Sequence, residues 1–198
     1  MGDINSIMAG WVDRGPWIYY DLVQVNANTA SPSSLNPFSV PIGGQDPIVS
    51  TQKTKLQTNM QRGNQFPPPR CLVMMMLGFY FSDQMLKSDI DLVLNSCYIE
   101  FRIDDKIFWE GLLWKFPAGF GLTGFTTQNG QSAFTNGIPA PQFSRRYGEY
   151  SKYIAPLQQF SLSIIFPSPF PAMFSIAERS GSTSIARLAM AAWATAWA

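Results

Sequence analysis

Few residues in this chain have the types and spacing that enzyme chemistry requires. There is no histidine, so the most common general base and the usual zinc ligand are both missing. Glu100 and Glu110 could face one another across a hairpin, as the carboxylate pair of a glycosidase must. However, Glu100 alternates with apolar residues, and Arg102 and Lys106 are near in sequence. We therefore interpret both acids as ion-pairing surface residues and predict that the protein is not an enzyme.

Two further patterns resemble ligand-binding motifs. Residues 119–124 spell G-x-G-x-x-G after a predicted strand. A dinucleotide site also needs a helix that opens at the last glycine, and residues 125–136 are too rich in Thr, Gln, Asn and Gly to form one. Asp89, Asp91 and Asn95 offer oxygen atoms to a cation but lack the glycine and the closing acid of a calcium loop. We interpret the first pattern as a loop and the second as a solvated helix face, and we predict neither a cofactor nor a metal.

Two cysteines, Cys71 and Cys97, fall in predicted strands. Cysteine is among the most often buried residue types and packs as a small apolar side chain. We predict that both are buried in this way rather than forming a catalytic pair. A disulfide between neighbouring strands is an alternative, but we find no secretory signal to support it.

Composition limits the class of protein. The 198 residues fit one domain, or one domain with long arms. Charged residues make up 14% of the chain and aromatic residues another 14%, against about 25% charged residues in a typical protein. The net charge is +1, so no overall field attracts nucleic acid, and no specific nucleic-acid partner is indicated. A surface with so few charges favours contact with other chains.

The elements are organised around residues 97–114. Cys97, Ile99, Phe101 and Ile103 alternate with polar residues, a period of two that is typical of a strand with one buried face. Two turn-forming aspartates follow, and an aromatic-rich run then resumes. This pattern predicts a β-hairpin.

Further strands are predicted at residues 17–25, 71–81 and 160–166, with a short helix within residues 82–95. Residues 71–81 are apolar at both alternations, which predicts a strand covered on both faces. We therefore predict a mainly all-β fold: an antiparallel β-sandwich, similar to a single jelly roll, with an extended N-terminal arm and a short C-terminal helix.

Three regions are predicted: residues 1–63, an N-terminal strand and extended arm; 64–171, the β-sandwich core; and 172–198, a linker and an amphipathic helix. Within the first region, residues 26–63 contain four prolines and show no periodicity. We interpret them as an arm or as a loop laid over a surface. A disordered linker is the alternative.

The C-terminal residues show helical spacing of apolar side chains. Such a short helix must dock on another surface to be stable. The candidates are the protein's own body, a neighbouring subunit or a lipid membrane. We predict that the contact residues are Ile185, Leu188, Trp193 and Trp197.

Between residues 53 and 167 a series of short fragments resembles virion structural proteins of bacterial viruses that have a jelly roll or a related β-sandwich. The fragments are Thr58-Asn59-Met60, Asn64-Gln65-Phe66-Pro67, Asp105-Lys106, Phe116-Pro117-Ala118-Gly119, Asn136-Gly137-Ile138-Pro139, Ile154-Ala155-Pro156 and Phe160-Ser161-Leu162. The resemblance implies a capsid subunit that self-assembles in the virion, with copies of itself and other virion proteins as partners. It carries no catalytic residues.

Two other functions compete with this one. A jelly-roll module that binds a ligand such as a carbohydrate would use Trp109, Trp114 and the tyrosines of residues 147–153 as a stacking platform. A carboxylate enzyme would need two acids facing each other in a groove, and the sequence offers no convincing pair.

Overall fold

The computed structural model describes residues 14–26, 32–74, 76–81, 87–115, 145–146, 152–167 and 185–197. Within these ranges the chain forms ten strands, one α-helix and a 3-10 turn at Leu113–Lys115. The strands are β1 (Arg14–Asn26), β2 (Ser34–Leu35), β3 (Cys71–Met74), β4 (Met76–Phe81), β5 (Tyr98–Ile103), β6 (Lys106–Leu112), β7 (Arg145–Arg146), β8 (Lys152–Ile154), β9 (Phe160–Ile165) and β10 (Ile185–Trp197). The helix is α1 (Lys87–Ser96). The expectation of a mainly β protein with antiparallel sheets is confirmed.

The predicted hairpin supplies the inner strand β5 and the edge strand β6 of a four-stranded sheet, in the order β2-β9-β5-β6. In β5, Ile99, Phe101 and Ile103 are buried and the residues between them are not, as the period of two predicted. Asp104, in the turn, has a positive φ of 52°, a conformation that aspartate tolerates better than most residues. The register shifts between Phe101 and Arg102, which indicates a β-bulge.

The second sheet has six strands, and β10 lies inside it. One side of β10 pairs with β1 over all thirteen residues of each strand. The other side pairs with β3 and β4, beyond which lie β8 and β7. All four residues of β3 are buried, which confirms that this apolar run is covered on both faces.

The predicted C-terminal helix is wrong, because residues 185–197 form the strand β10. Alanine, leucine and methionine favour a helix when neighbouring elements exert no influence. Here β1 on one side and β3 with β4 on the other supply paired backbone along the whole segment. Tertiary pairing of this kind overrides a weak local preference.

The predicted helix between the strands is present as α1. Its residues Ile90 and Val93 are buried against the core. The backbone N–H of Cys97 donates to the carbonyl of Val93, and that of Leu113 donates to the carbonyl of Cys97. The end of α1 is therefore tied to both strands of the hairpin. Residues 82–86, the first part of the predicted helical segment, lie outside the described residues.

Buried side chains from both sheets belong to one hydrophobic core. Phe66 lies at its centre, with its ring 4.7 Å from that of Tyr19 in β1 and 5.1 Å from that of Phe160 in β9. Ring separations of this size are typical of stabilising aromatic pairs. The six-stranded and four-stranded sheets are thus linked through one aromatic side chain.

The proline-rich segment at residues 32–63 is built from turns and packs on this core. Leu35, Phe38 and Met60 are buried in it. At Gly63 an added Cβ would lie 2.2 Å from the carbonyl oxygen of Ser39, so this close backbone approach requires glycine. Part of the predicted arm therefore lies against the protein's own body.

Candidate functional site

Two features of the described structure have the make-up of a functional site. The first is a surface that we call the outer sheet face. It consists of the side chains of β5, β6 and β9 that point away from the core. In the pairing register they form two rows across the sheet: Ile165, Tyr98 and Leu112, and then Ser163, Glu100 and Glu110.

The charged row of the outer sheet face holds the two acids that the sequence singled out. Glu100 and Glu110 are direct cross-strand partners. Arg102 Nε donates to the carboxylate of Glu100, as expected for ion pairing, whereas Lys106 Nζ lies 5.4 Å from the centre of the Phe108 ring. Desolvation, together with a hydrogen bond to Glu110, raises the pKa of Tyr98. Each of the two facing carboxylates thus has a partner of its own, Arg102 for Glu100 and Tyr98 for Glu110.

Strand β6 forms one edge of the outer sheet face. Among the described strands it pairs with β5 alone. Ile107 and Leu112 are 39% and 37% exposed, and Trp114, just after the strand, is 54% exposed. Within the described residues β6 is therefore an edge strand with exposed apolar side chains, and such an edge is a site where another chain can add.

The second feature is a group of three buried ionisable side chains, which we call the buried charge cluster: Asp21, Lys53 and Asp46. Lys53 Nζ lies 2.8 and 2.9 Å from the two carboxylate oxygens of Asp21 and 3.8 Å from Oδ2 of Asp46. The exposed fractions of the three side chains are 4% for Lys53, 0% for Asp21 and 5% for Asp46. Charges are rarely buried to this extent unless they are paired.

A short hairpin carries Lys53 and Asp46 to Asp21. The N–H of Gly43 donates to the carbonyl of Lys53, and the N–H of Lys53 donates to the carbonyl of Gly44. At the tip, Asp46 Oδ1 accepts hydrogen bonds from the backbone N–H groups of Ile48 and Val49. These bonds fix both side chains of the hairpin in place.

Asp21 itself is held by β1 and its neighbours. The backbone N–H of Phe38 donates to Oδ2 of Asp21 at 2.7 Å. Thr58 pairs with Asp21 across an isolated β-bridge, and its hydroxyl donates to the carbonyl of the adjacent residue Tyr20. Burial raises the pKa of Asp21, and the nearby ammonium of Lys53 opposes that rise.

Sequence reasoning missed the buried charge cluster. Lys53 and Asp21 are 32 positions apart, and Asp46 belongs to a stretch with no periodicity. One signal was available, since Asp21 interrupts an apolar strand sequence at a position that alternation places on the same face as Tyr19 and Val23. A charged residue at a core position requires a buried partner.

The four predicted contact residues all lie in β10, and we place them by pairing register. Ile185 pairs with Asn26, Leu188 with Val23, Trp193 with Ile18, and Trp197 with Arg14. They therefore do not form one face of a separate docked helix. Their role in subunit or membrane contact stays a prediction.

The predicted stacking platform is not assembled among the described residues. The ring of Trp109 stacks on Phe101 at 4.6 Å and packs against the core, whereas Trp114 is exposed. Tyr153 is 36% exposed, and Tyr147 and Tyr150 lie outside the described residues. Residues 119–124, the glycine pattern, also lie outside them.

In the part of the chain that the structure describes, no group of three or more metal-binding side chains occurs. None of the described helices is long and apolar enough to span a membrane.

Cys71 and Cys97 are both buried thiols. Burial raises the pKa of Cys97 to about 12 and also raises that of Cys71, whose sulfur hydrogen-bonds with the hydroxyl of Tyr153. Since the thiolate is the reactive form, neither is suited to be a nucleophile at neutral pH.

We expect Cys97 to react with iodoacetamide at pH 8 roughly a thousandfold more slowly in the native protein than in guanidinium, because its thiolate is scarce and buried. The measurement is the labelling rate by mass spectrometry in a Cys71→Ala variant, which isolates Cys97. Equal rates in the native and denatured protein would contradict the buried placement.

Comparison with known proteins yields no match: no protein-family model, no curated protein and no solved structure matches this chain. Any functional proposal therefore depends on the residues and geometry described above.

Proposed function

We propose that this chain is a structural protein of a virion, a capsid subunit that self-assembles with copies of itself and with other virion proteins. We further propose that its two antiparallel sheets form a sandwich similar to a single jelly roll. The observation that carries the functional proposal is the edge of the outer sheet face at β6, which pairs with β5 alone among the described strands. Ile107 and Leu112 of β6 and the following Trp114 expose apolar surface there. The kind of assembly that we propose, a virus capsid, rests on the sequence fragments that resemble capsid proteins of bacterial viruses.

A second copy of this chain is the occupant that we propose for that edge. The outer sheet face holds both signs of charge, Arg102 beside Glu100 and Glu110. A two-fold contact places the same patch of both copies together, and a patch of mixed sign can pair with itself. Adding β6 of one copy to β6 of another would also satisfy the backbone groups of both edges.

The low charge of the chain also supports assembly. With 14 basic and 13 acidic residues among 198, net repulsion between copies is small. The segment at residues 32–63 shows how such a chain covers a surface: it has few regular elements yet buries Leu35, Phe38 and Met60.

The edge contact is tested by charge substitution. We expect Leu112→Lys combined with Ile107→Lys to raise the concentration needed for self-association by at least about tenfold, because each ammonium must be desolvated or expelled from the contact. The measurement is mass against concentration by light scattering. Leu56→Lys is the matched control, since Leu56 is 92% exposed and lies outside the outer sheet face.

Thermal unfolding of the double variant must match that of the Leu56→Lys control, so that a loss of association is not a loss of folding. Association that is equally strong in the double variant and the control would exclude the β6 edge as the subunit contact.

A further inference from the structure

The buried charge cluster has a geometry that goes beyond a salt bridge and does not depend on the assembly proposal. We propose that Lys53 and Asp21 condense to form an intramolecular isopeptide bond, with Asp46 as the group that transfers the protons. The product is an amide cross-link between β1 and the hairpin at residues 43–53.

The reacting atoms are already close together. Lys53 Nζ lies 2.8 Å from Oδ1 and 2.9 Å from Oδ2 of Asp21. A nitrogen at such similar distances from both oxygens is roughly 3 Å from the carbon between them, within the range of a near-attack arrangement. Backbone hydrogen bonds at Gly43 and Gly44 hold Lys53 in place, so little freedom remains to be lost on reaction.

A donor is available for the negative charge that develops on the carboxyl oxygen. The backbone N–H of Phe38 donates to Oδ2 of Asp21, at a nitrogen–oxygen distance of 2.7 Å. Fixed donors aimed at a developing oxyanion are the main source of catalysis in acyl transfer.

The condensation balances without any external reagent. The proton shared by the ion pair moves to Asp21, which leaves a neutral amine and a neutral carboxylic acid. The lone pair of Nζ then forms the bond to Cγ, and the carboxylate of Asp46 accepts a proton from the nitrogen. Asp46 returns this proton to the departing hydroxyl group as the Cγ–O bond breaks, and one water molecule leaves.

Asp46 is placed for this role because its Oδ2 is 3.8 Å from Nζ, a separation that shortens readily in a reacting complex. Its other oxygen, Oδ1, is occupied by two backbone N–H groups. Burial favours the neutral carboxylic acid that the reaction needs, since it raises the pKa of Asp21. It also keeps out the water that would hydrolyse the product.

The test is the intact mass of two variants of identical composition, Lys53→Met and Lys55→Met. Lys55 is an exposed lysine two positions away. We expect denatured Lys55→Met protein to be lighter than denatured Lys53→Met protein by about 18 Da, the mass of one water. Because the two chains have the same calculated mass and the same N-terminus, the difference reports the cross-link alone, whether or not Lys53→Met folds.

Peptide mapping of the wild-type protein then locates the bond, which must join the peptides that contain Asp21 and Lys53. Equal masses of the two variants, or a branched peptide at any other lysine, would overturn the proposal.

The role of Asp46 has its own test. Asp46→Asn keeps an oxygen to accept the hydrogen bonds of Ile48 and Val49 but cannot shuttle protons. We expect the fraction of cross-linked chains in freshly made protein to fall at least about tenfold, in line with the loss of a general acid–base group. An unchanged fraction would remove Asp46 from the reaction.

Discussion

A chain that ends at Ser184 is expected to lose cooperative folding altogether. The truncation removes β10, which lies between β1 on one side and β3 with β4 on the other. Without β10, β1 loses all thirteen of its paired positions in this sheet. The edge of β1 and the edge formed by β3 and β4 are left without their hydrogen-bond partners, and core side chains of these strands, such as Tyr19, Leu72 and Phe79, lose the sheet that positions them. Full burial of such a side chain contributes about 1.5–3 kcal/mol, and an ordinary domain is stable by only about 5–15 kcal/mol.

The measurement is urea unfolding followed by circular dichroism and tryptophan fluorescence. The full chain should show one sigmoidal transition, and the truncated chain should show none. Ala191→Pro provides a finer test, since Ala191 pairs with Tyr20 on one side and Gly78 on the other, and proline is excluded from central strands. Leu56→Pro, in an exposed turn, is the matched proline control.

A docked terminal helix, as the sequence alone predicted, would give a different result. Its removal would leave the sheets intact, and the truncated chain would keep a cooperative transition with reduced stability. Such a transition would contradict the placement of β10 inside the six-stranded sheet.

The second large effect is expected at Lys53. Lys53→Ala should lower the free energy of unfolding by about 3–5 kcal/mol, because it leaves the buried carboxylates of Asp21 and Asp46 without their cation. Lys55→Ala, at an exposed position, should change the free energy of unfolding by no more than about 0.5 kcal/mol. Urea denaturation of both variants provides the comparison.

A double-mutant cycle separates the interaction energy between Asp21 and Lys53 from the energy of their contacts with other residues. Asp21→Ala with Lys53→Ala should be less destabilising than the sum of the two single changes, because neither charge is then stranded by the loss of the other. Additive effects would show that the two groups do not interact. If the cross-link is present, its loss adds about 4 kcal/mol to the cost of each single change, by analogy with a disulfide that closes a loop of this length.

The strands with a period of two could be predicted from sequence. In β5 and β9, buried apolar residues alternate with half-exposed ones, and alternation of this kind has no helical equivalent. The fully apolar run that became β3 and β4 could also be predicted, because the prolines before it and the glycine within it argue against a helix. Local sequence was therefore sufficient to predict a strand where its pattern of apolar residues matched the burial of those residues in the fold.

Residues 185–197 could not be predicted by the same reasoning. Their apolar residues also fit a helical spacing, and the choice of β depends on strands more than 100 positions earlier in the chain. No feature of residues 185–197 themselves indicates that the edge of β1 and the edge formed by β3 and β4 are available for pairing. The prediction was wrong because it relied on a local preference that weighs less than long-range pairing.

The buried charge cluster was missed for a related reason. The hairpin at residues 43–53 must fold back on β1 before Asp21, Asp46 and Lys53 come together. Separate charges of this kind are normally solvated, and no spacing rule joins them. The acids that the sequence did single out, Glu100 and Glu110, instead face each other on the surface beside Arg102.

The proposed assembly of this protein with copies of itself is tested by measuring its mass in solution. Multi-angle light scattering of the purified full chain, followed by electron microscopy, measures the size and closure of any assembly. We predict oligomers of defined size. The fraction of protein in these oligomers should rise with concentration and should fall in the variant that carries Leu112→Lys and Ile107→Lys. A stable monomer at all concentrations, unchanged by those substitutions, would contradict the proposal.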